Sequence, residues 1–125
     1  MRPRVRATVV LPLLVAMTAC VPDNRPASCD EEAVTIELTV RGDGMQPSEP
    51  AACQGQQVTL AITPQVDGVF HIHGLDKVVP ATTITEGQEI ELTFTPEGTG
   101  QFPIELHPAD DPQGVAIGIF SIYDR

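Results

Sequence analysis

Short runs of alternating apolar and polar residues, separated by glycines and prolines, are the feature that most limits how this chain can fold. In residues 34–40, VTIELTV, every second side chain is apolar and those between are threonine or glutamate. Such alternation is typical of a strand with one buried face. Comparable β-type runs recur at residues 57–63, 69–73, 89–94, 101–107 and 115–123, and a weaker one, interrupted by Pro80, at residues 78–84. Because one-sided strands must bury their apolar faces together, the pattern predicts an all-β sandwich of two antiparallel sheets with six to eight strands.

The first twenty residues, MRPRVRATVVLPLLVAMTAC, have the organisation of an export signal. Three arginines precede an apolar stretch over residues 9–17, about half of the roughly 20 residues that a membrane-spanning helix needs. The ending Met17-Thr18-Ala19-Cys20 resembles the lipobox of bacterial lipoproteins. The resemblance implies cleavage after Ala19 and acylation of Cys20, which would anchor the chain to a membrane. The alternative is a soluble secreted protein in which Cys20 has no role.

These features divide the chain into three predicted parts. Residues 1–19 are a lipoprotein signal peptide, residues 20–32 a polar tether that contains proline, and residues 33–125 the β domain. We therefore expect an extracytoplasmic, membrane-anchored lipoprotein of the cell envelope with a monomeric domain.

The charge of the chain excludes one class of partner and favours another. Its 17 acidic and 7 basic residues give a net charge of −10. A nucleic-acid binder needs basic residues to neutralise phosphates, so we expect no nucleic-acid partner. Removal of residues 1–19 takes away three arginines and no acid, which leaves 4 basic against 17 acidic residues and a net charge of −13. A field of this sign attracts cations.

Two cysteines remain once Cys20 is assigned to the lipid. Cys29 and Cys53 form an even pair in a chain predicted to be exported to an oxidising compartment. Two free thiols or a metal-binding pair are the alternatives, but no CxxC spacing supports a zinc site. We therefore expect a disulfide between Cys29 and Cys53.

All three histidines of the chain lie in two strand-like segments. His71 and His73 occur in VFHIHG, and His107 follows Glu105 in IELH. Residues i and i+2 of a strand share a face. If the two strands are neighbours, three imidazoles and one carboxylate converge on one side of the sheet. Such ligands suit copper or zinc and not calcium or magnesium, which prefer oxygen ligands alone.

The order of these motifs resembles the cupredoxins over residues 33–125. The resemblance is carried by HIHGLD at residues 71–76, EGTGQFPIELH at 97–107 and GVAIGIF at 114–120. It implies a Greek-key β-sandwich and favours copper over zinc. The HxHG motif also occurs in multicopper oxidases, where both histidines bind copper, but those enzymes need further domains.

The chain departs from the blue-copper pattern of that family at three positions. Leu106 stands where the copper-binding Cys is expected, Ala116 where the axial Met is expected, and Ala109 where the second His is expected. Blue-copper electron transfer depends on a copper–thiolate bond. We therefore expect neither an intense blue colour nor an electron-transfer role of the usual kind.

Three functions remain after these arguments. The favoured one is a lipid-anchored metal-binding protein that captures an ion or hands it to an envelope partner. Its ligands would be His71, His73, His107 and Glu105, with Asp76 as further support. The second is a metal-free interaction module or accessory subunit of an envelope assembly. A His₃ zinc hydrolase is the weakest, because no substrate pocket or nucleophile motif is evident, so we expect no enzymatic activity.

Overall fold

The computed structural model describes residues 24–125. The predicted signal peptide, the predicted lipidation site Cys20 and the first residues of the predicted tether lie outside the described residues. A short 3₁₀ helix, Ala27–Asp30, precedes nine strands. These are β1 (Ala33–Arg41), β2 (Gly44–Gln46), β3 (Ala51–Cys53), β4 (Gln57–Pro64), β5 (Gly68–Ile72), β6 (Thr82–Ile84), β7 (Ile90–Phe94), β8 (Gly100–His107) and β9 (Val115–Tyr123). No helix in this part of the chain is long and apolar enough to cross a bilayer.

The strands form two sheets, with the orders β2-β1-β4-β7 and β3-β9-β8-β5-β6. The prediction of an all-β sandwich is therefore confirmed. The prediction that both sheets are antiparallel is wrong for two strand pairs. Strand β1 pairs with β4 in parallel, and β3 pairs with β9 in parallel. Alternation shows which face of a strand is buried but carries no information on its direction.

The described part of the chain has nine strands, and the sequence predicted six to eight. The additional strands, β2 and β3, have three residues each and lie between the predicted strands at residues 34–40 and 57–63. A three-residue strand is too short to show an alternation in sequence. Their positions in the sheets are set by pairing with β1 and β9.

The core lies between the inner faces of the two sheets. Leu38, Leu60 and Ile62 come from the first sheet and are at most 1% exposed. Phe70 and Phe120 come from the second sheet and are equally buried. Each such side chain contributes about 1.5–3 kcal/mol relative to an exposed one. The alternation in sequence thus identified the inner face of both sheets.

A disulfide and a buried glutamine attach the 3₁₀ helix to the sandwich. Cys29 and Cys53 are bonded with their Cα atoms 5.4 Å apart, as cysteine parity predicted. Gln56 is fully buried, and its Oε1 accepts a hydrogen bond from the Cys53 N–H at 2.7 Å. Its Nε2 donates to the carbonyls of Ser28 and Glu31 at 2.6 and 2.9 Å. Residues 28–31 are therefore fixed to the domain.

Candidate metal centre

Strands β5 and β8 are antiparallel neighbours. The sequence predicted that the three histidines would converge if these two strands were adjacent. Their register places His71 opposite Glu105 and Val69 opposite His107. On β5, Phe70 and Ile72 are buried in the core, so His71 lies on the outer face. Glu105 and His107 lie on that same face, because Ile104 and Leu106 point inward.

The four predicted ligands lie close together, with Glu105 in the middle. Its Oε2 is 2.8 Å from the Nε2 of His73 and 3.2 Å from the Nε2 of His107. One ligand atom each from His71, His73 and Glu105 lie within 4.8 Å of one another. His107 is outside that set of three and contacts it through Glu105. The ring centroid of His71 is 4.4 Å from that of His73 and 6.0 Å from that of His107.

The His107 ring is held by the loop between β8 and β9. Its Nδ1 lies 3.4 Å from the carbonyl oxygen of Pro112, which can accept only from an Nδ1–H. A Cβ added to Gly114 would lie 2.7 Å from the Nδ1 and Cε1 atoms, so the ring packs directly on that glycine. The Nε2 of His107 is buried and makes no hydrogen bond among the described residues, despite its short distance to Glu105. A buried polar nitrogen without a partner is costly, and a metal would satisfy it.

His71 is the least exposed of the three histidines, with 17% of its side chain accessible. Its Nε2 is 2.6 Å from the Oδ1 of Asp76, a carboxylate that is itself 60% exposed. This hydrogen bond is the main reason that the pKa of the Asp76 carboxyl is below its ordinary value. Asp76 therefore remains an anion and an acceptor.

The donor atoms at this site are nitrogen and oxygen. Among residues 24–125, sulfur occurs in the bonded pair Cys29 and Cys53 and in Met45, which is buried against Gly118. Imidazole nitrogens with a carboxylate oxygen fit Cu²⁺ or Zn²⁺, whereas Cu⁺ prefers sulfur. The Nε2 of His107, which makes no hydrogen bond, is a third imidazole nitrogen suited to bind such an ion. The residues present thus fit a divalent copper or zinc ion.

Two contributions to the site were not predicted from sequence. They are the carbonyl of Pro112 and the close contact of Gly114 with the His107 ring. Gly114 has a φ of +72°, a backbone conformation that favours glycine. The run PADDPQG at residues 108–114 is a clear turn signal. It does not reveal that the turn brings its last residue back onto His107.

Comparisons with solved structures find similar folds in a laccase and in several proteins whose names state that they bind or use copper. A laccase from Pediococcus acidilactici has a TM-score of 0.61 and 19% identity, over 80% of this chain and 28% of its own. The metal-binding domain of the Cu(I)-exporting P-type ATPase CopA from Streptococcus pneumoniae D39 has a TM-score of 0.56 and 13% identity, over 74% of this chain and 88% of its own. The fold is cupredoxin-like.

A third similar structure is a chain of a heme-copper terminal oxidase dimer, with a TM-score of 0.58 and 16% identity, over 90% of this chain and 79% of its own. This chain spans about three tenths of the length of the laccase and of a multi-copper oxidase from Pseudomonas thermotolerans. No family model matches the chain, and no curated protein matches it. At these identities the cupredoxin-like similarity concerns the fold alone.

Proposed function

We propose that this chain is a lipid-anchored, extracytoplasmic protein that binds a single metal ion, copper in preference to zinc, on the outer face of its five-stranded sheet. The convergence of His71, His73 and Glu105 within 4.8 Å is the observation that carries the proposal. The unpartnered Nε2 of His107 beside Glu105 supports it and supplies a further ligand.

Two arguments favour copper. For a given set of nitrogen and oxygen ligands, Cu²⁺ binds more tightly than Zn²⁺. Several proteins of similar fold are copper proteins by their names, including a Cu(I) exporter's metal-binding domain and a multi-copper oxidase. Because no sulfur ligand adjoins the site in residues 24–125, the ion we expect is Cu²⁺.

Ion capture or hand-over fits this site better than electron transfer. The side chain of His73 is 50% exposed, so an ion bound there is accessible to solvent or to a partner. The acidic charge of the chain raises the rate at which cations arrive, and this effect weakens with added salt. Leu106, where a blue-copper thiolate is expected, is fully buried in the core.

Equilibrium dialysis tests the proposal. The full-length chain, purified in detergent and stripped of metal, is dialysed against equimolar Cu²⁺ and Zn²⁺ with a weak competing chelator. We expect about one copper ion per chain, and none in the His71→Ala/His73→Ala variant. Glu37→Gln/Glu91→Gln removes two acidic charges from the exposed outer face of the other sheet and should leave binding unchanged. Retention by the histidine variant, or equal loss in the glutamine variant, would contradict a site-specific ion.

The anchor is tested separately. We expect the mature chain to begin at Cys20 and to carry acyl groups visible by intact mass. Cys20→Ser should release the protein from the membrane fraction. An unacylated wild-type chain in the soluble fraction would contradict the anchor without affecting the metal site.

A metal-free interaction module is the second candidate. Val115 and Ile119 on β9 are each 40% exposed, and Ala116 of the same strand lies opposite Glu105 in the β8–β9 pairing, so this apolar strand adjoins the cluster on its Glu105 side. One similar structure is a chain of a heme-copper terminal oxidase dimer, which suggests an accessory role in an envelope assembly. Dialysis that returns no bound ion in the wild-type chain would favour this function.

A further inference from the structure

The turn after β5 brings Asp76 back against His71, the first residue of the motif HIHGLD. Gly74 has a φ of +87°, and the Leu75 N–H donates to the Ile72 carbonyl at 3.2 Å. Asp76 then accepts two hydrogen bonds: His71 Nε2 lies 2.6 Å from its Oδ1, and the Gly74 N–H lies 3.3 Å from its Oδ2. Both carboxylate oxygens are thus committed, and the side chain has a fixed orientation.

This contact determines which nitrogen of His71 carries the proton. A carboxylate can only accept hydrogen bonds, so the Nε2 of His71 must be the N–H donor. A neutral imidazole with its proton on Nε2 has its lone pair on Nδ1, and only that nitrogen can then bind a metal. Asp76 itself is not in the set of His71, His73 and Glu105 whose ligand atoms lie within 4.8 Å.

The outer neighbour of His107 is a backbone group instead. Its Nδ1 lies 3.4 Å from the Pro112 carbonyl, and its Nε2 lies 3.2 Å from the Oε2 of Glu105. The two histidines therefore have different outer partners, a carboxylate for His71 and a carbonyl for His107. Such partners of metal-binding histidines orient the ring and raise its basicity.

We propose that Asp76 is a positioning residue that holds His71 in the Nε2–H tautomer and presents its Nδ1 to the metal. This inference rests on the proposed function and adds to it a carboxylate that acts on the metal through the histidine it contacts. The motif HIHGLD then has a physical explanation: Gly74 makes the turn, and Asp76 is the residue that the turn returns to His71.

Two measurements on the full-length chain test this role. The first is long-range ¹H–¹⁵N NMR of the imidazole nitrogens in metal-free protein, which distinguishes Nδ1–H from Nε2–H tautomers. The second is the Cu²⁺ dissociation constant from competition with a chelator of known affinity. The variant is Asp76→Asn, because an amide can donate as well as accept and so does not specify a tautomer. Glu37→Gln is the matched control, since it removes one negative charge from the exposed outer face of the opposite sheet.

We expect His71 of the wild-type chain to be the Nε2–H tautomer and Asp76→Asn to contain a mixture. Copper affinity should fall by about 10- to 100-fold in Asp76→Asn, the usual effect of removing such a partner, and stay near the wild-type value in Glu37→Gln. Asp76 is exposed, so the variant should keep its fold, and the backbone amide spectrum checks that it does.

Three results would overturn the inference. An Nδ1–H tautomer at His71 in wild type contradicts the hydrogen bond, and an unchanged affinity in Asp76→Asn contradicts its role. In both cases a wild-type chain that binds one ion leaves the proposed function standing. A wild-type chain that binds no copper or zinc overturns the proposed function and this inference with it.

Discussion

Two polar clusters of this domain, one around Gln56 and one around Glu105, differ in whether their buried polar atoms make hydrogen bonds. Gln56 is fully buried, and both ends of its amide have hydrogen-bond partners at 2.6–2.9 Å. At the second cluster, His73 is half exposed, and the buried Nε2 of His107 makes no hydrogen bond in the described part of the chain, although Glu105 Oε2 is 3.2 Å away.

The difference distinguishes a polar group that stabilises the fold from one that is kept for a ligand. Buried polar groups normally find partners, because an unmade hydrogen bond costs about 1–3 kcal/mol. Gln56 follows that rule, because all its amide atoms are hydrogen-bonded, and it holds residues 28–31 against the sandwich. His107 departs from it, beside a carboxylate and two other imidazoles. The first cluster should therefore govern stability and the second metal affinity.

The largest effect is expected at the first cluster, from loss of the disulfide. Cys29→Ala/Cys53→Ala opens a link between residues 24 apart in sequence, which costs about 3 kcal/mol of unfolding free energy by the loop-entropy model. Urea denaturation measures this loss. Copper affinity should not change, because the disulfide does not contact the histidines. A parallel loss of affinity would show that the two clusters are coupled.

Metal addition should stabilise the wild-type chain through the second cluster. An ion that binds only the folded state at 100 times its dissociation constant adds about 2.7 kcal/mol. Thermal unfolding with and without Cu²⁺ measures this gain. His71→Ala/His73→Ala should lose the gain while its metal-free Tm stays near that of wild type, since neither histidine belongs to the core. If Cu²⁺ raises the Tm of the variant as much as that of the wild type, the ion binds at another site.

Gln56→Ala should destabilise the domain by about 1–3 kcal/mol, because it leaves buried donors and acceptors of the first cluster unpaired. The Cys53 N–H and the Glu31 carbonyl would lose the Gln56 side chain as their partner, whereas the Ser28 carbonyl would still accept from the Glu31 N–H. Gln57→Ala is the control, since its side chain is exposed and its backbone N–H bond to Glu32 is unaffected. Similar unfolding free energies for the two variants would refute the structural role of Gln56.

The smallest expected effect comes from Gly114→Ala, which should move the His107 ring. A methyl group at this position would lie 2.7 Å from the ring atoms. We expect copper affinity to fall by about tenfold, as for other groups that orient a ligand. Gly87→Ala is a close control, because Gly87 has a similar φ of +76° but open space around it. If both variants lose affinity equally, backbone strain rather than the contact with His107 is responsible.

Much of this architecture follows from sequence because alternation reports directly on burial. The inner faces of β1 and β4 and the shared parity of His71 and His73 are local properties of a strand. Strand direction and the three-residue strands β2 and β3 are not local, since they depend on pairing partners far along the chain. The parallel pairing of β1 with β4 therefore did not follow from the pattern.

For the candidate site, too, the local features were predictable from sequence and those set by the path of the chain were not. Residue types and parity pointed to His71, His73, His107 and Glu105, and the HIHGLD motif pointed to Asp76. The separation of His107 from the set of three and the contact with Gly114 result from the path of the loop between β8 and β9. Turn-forming residues indicate that a loop bends, but they do not specify which residues its backbone will contact in the folded domain.

X-ray absorption spectroscopy of the copper-loaded full-length chain tests the central claim most directly. We expect the copper to have nitrogen and oxygen neighbours, with the multiple scattering that imidazole rings produce and no sulfur. His71→Ala/His73→Ala should lose the imidazole scattering. A sulfur shell near 2.3 Å, the distance typical of a metal thiolate, or a copper signal without imidazole would contradict a centre built from these histidines.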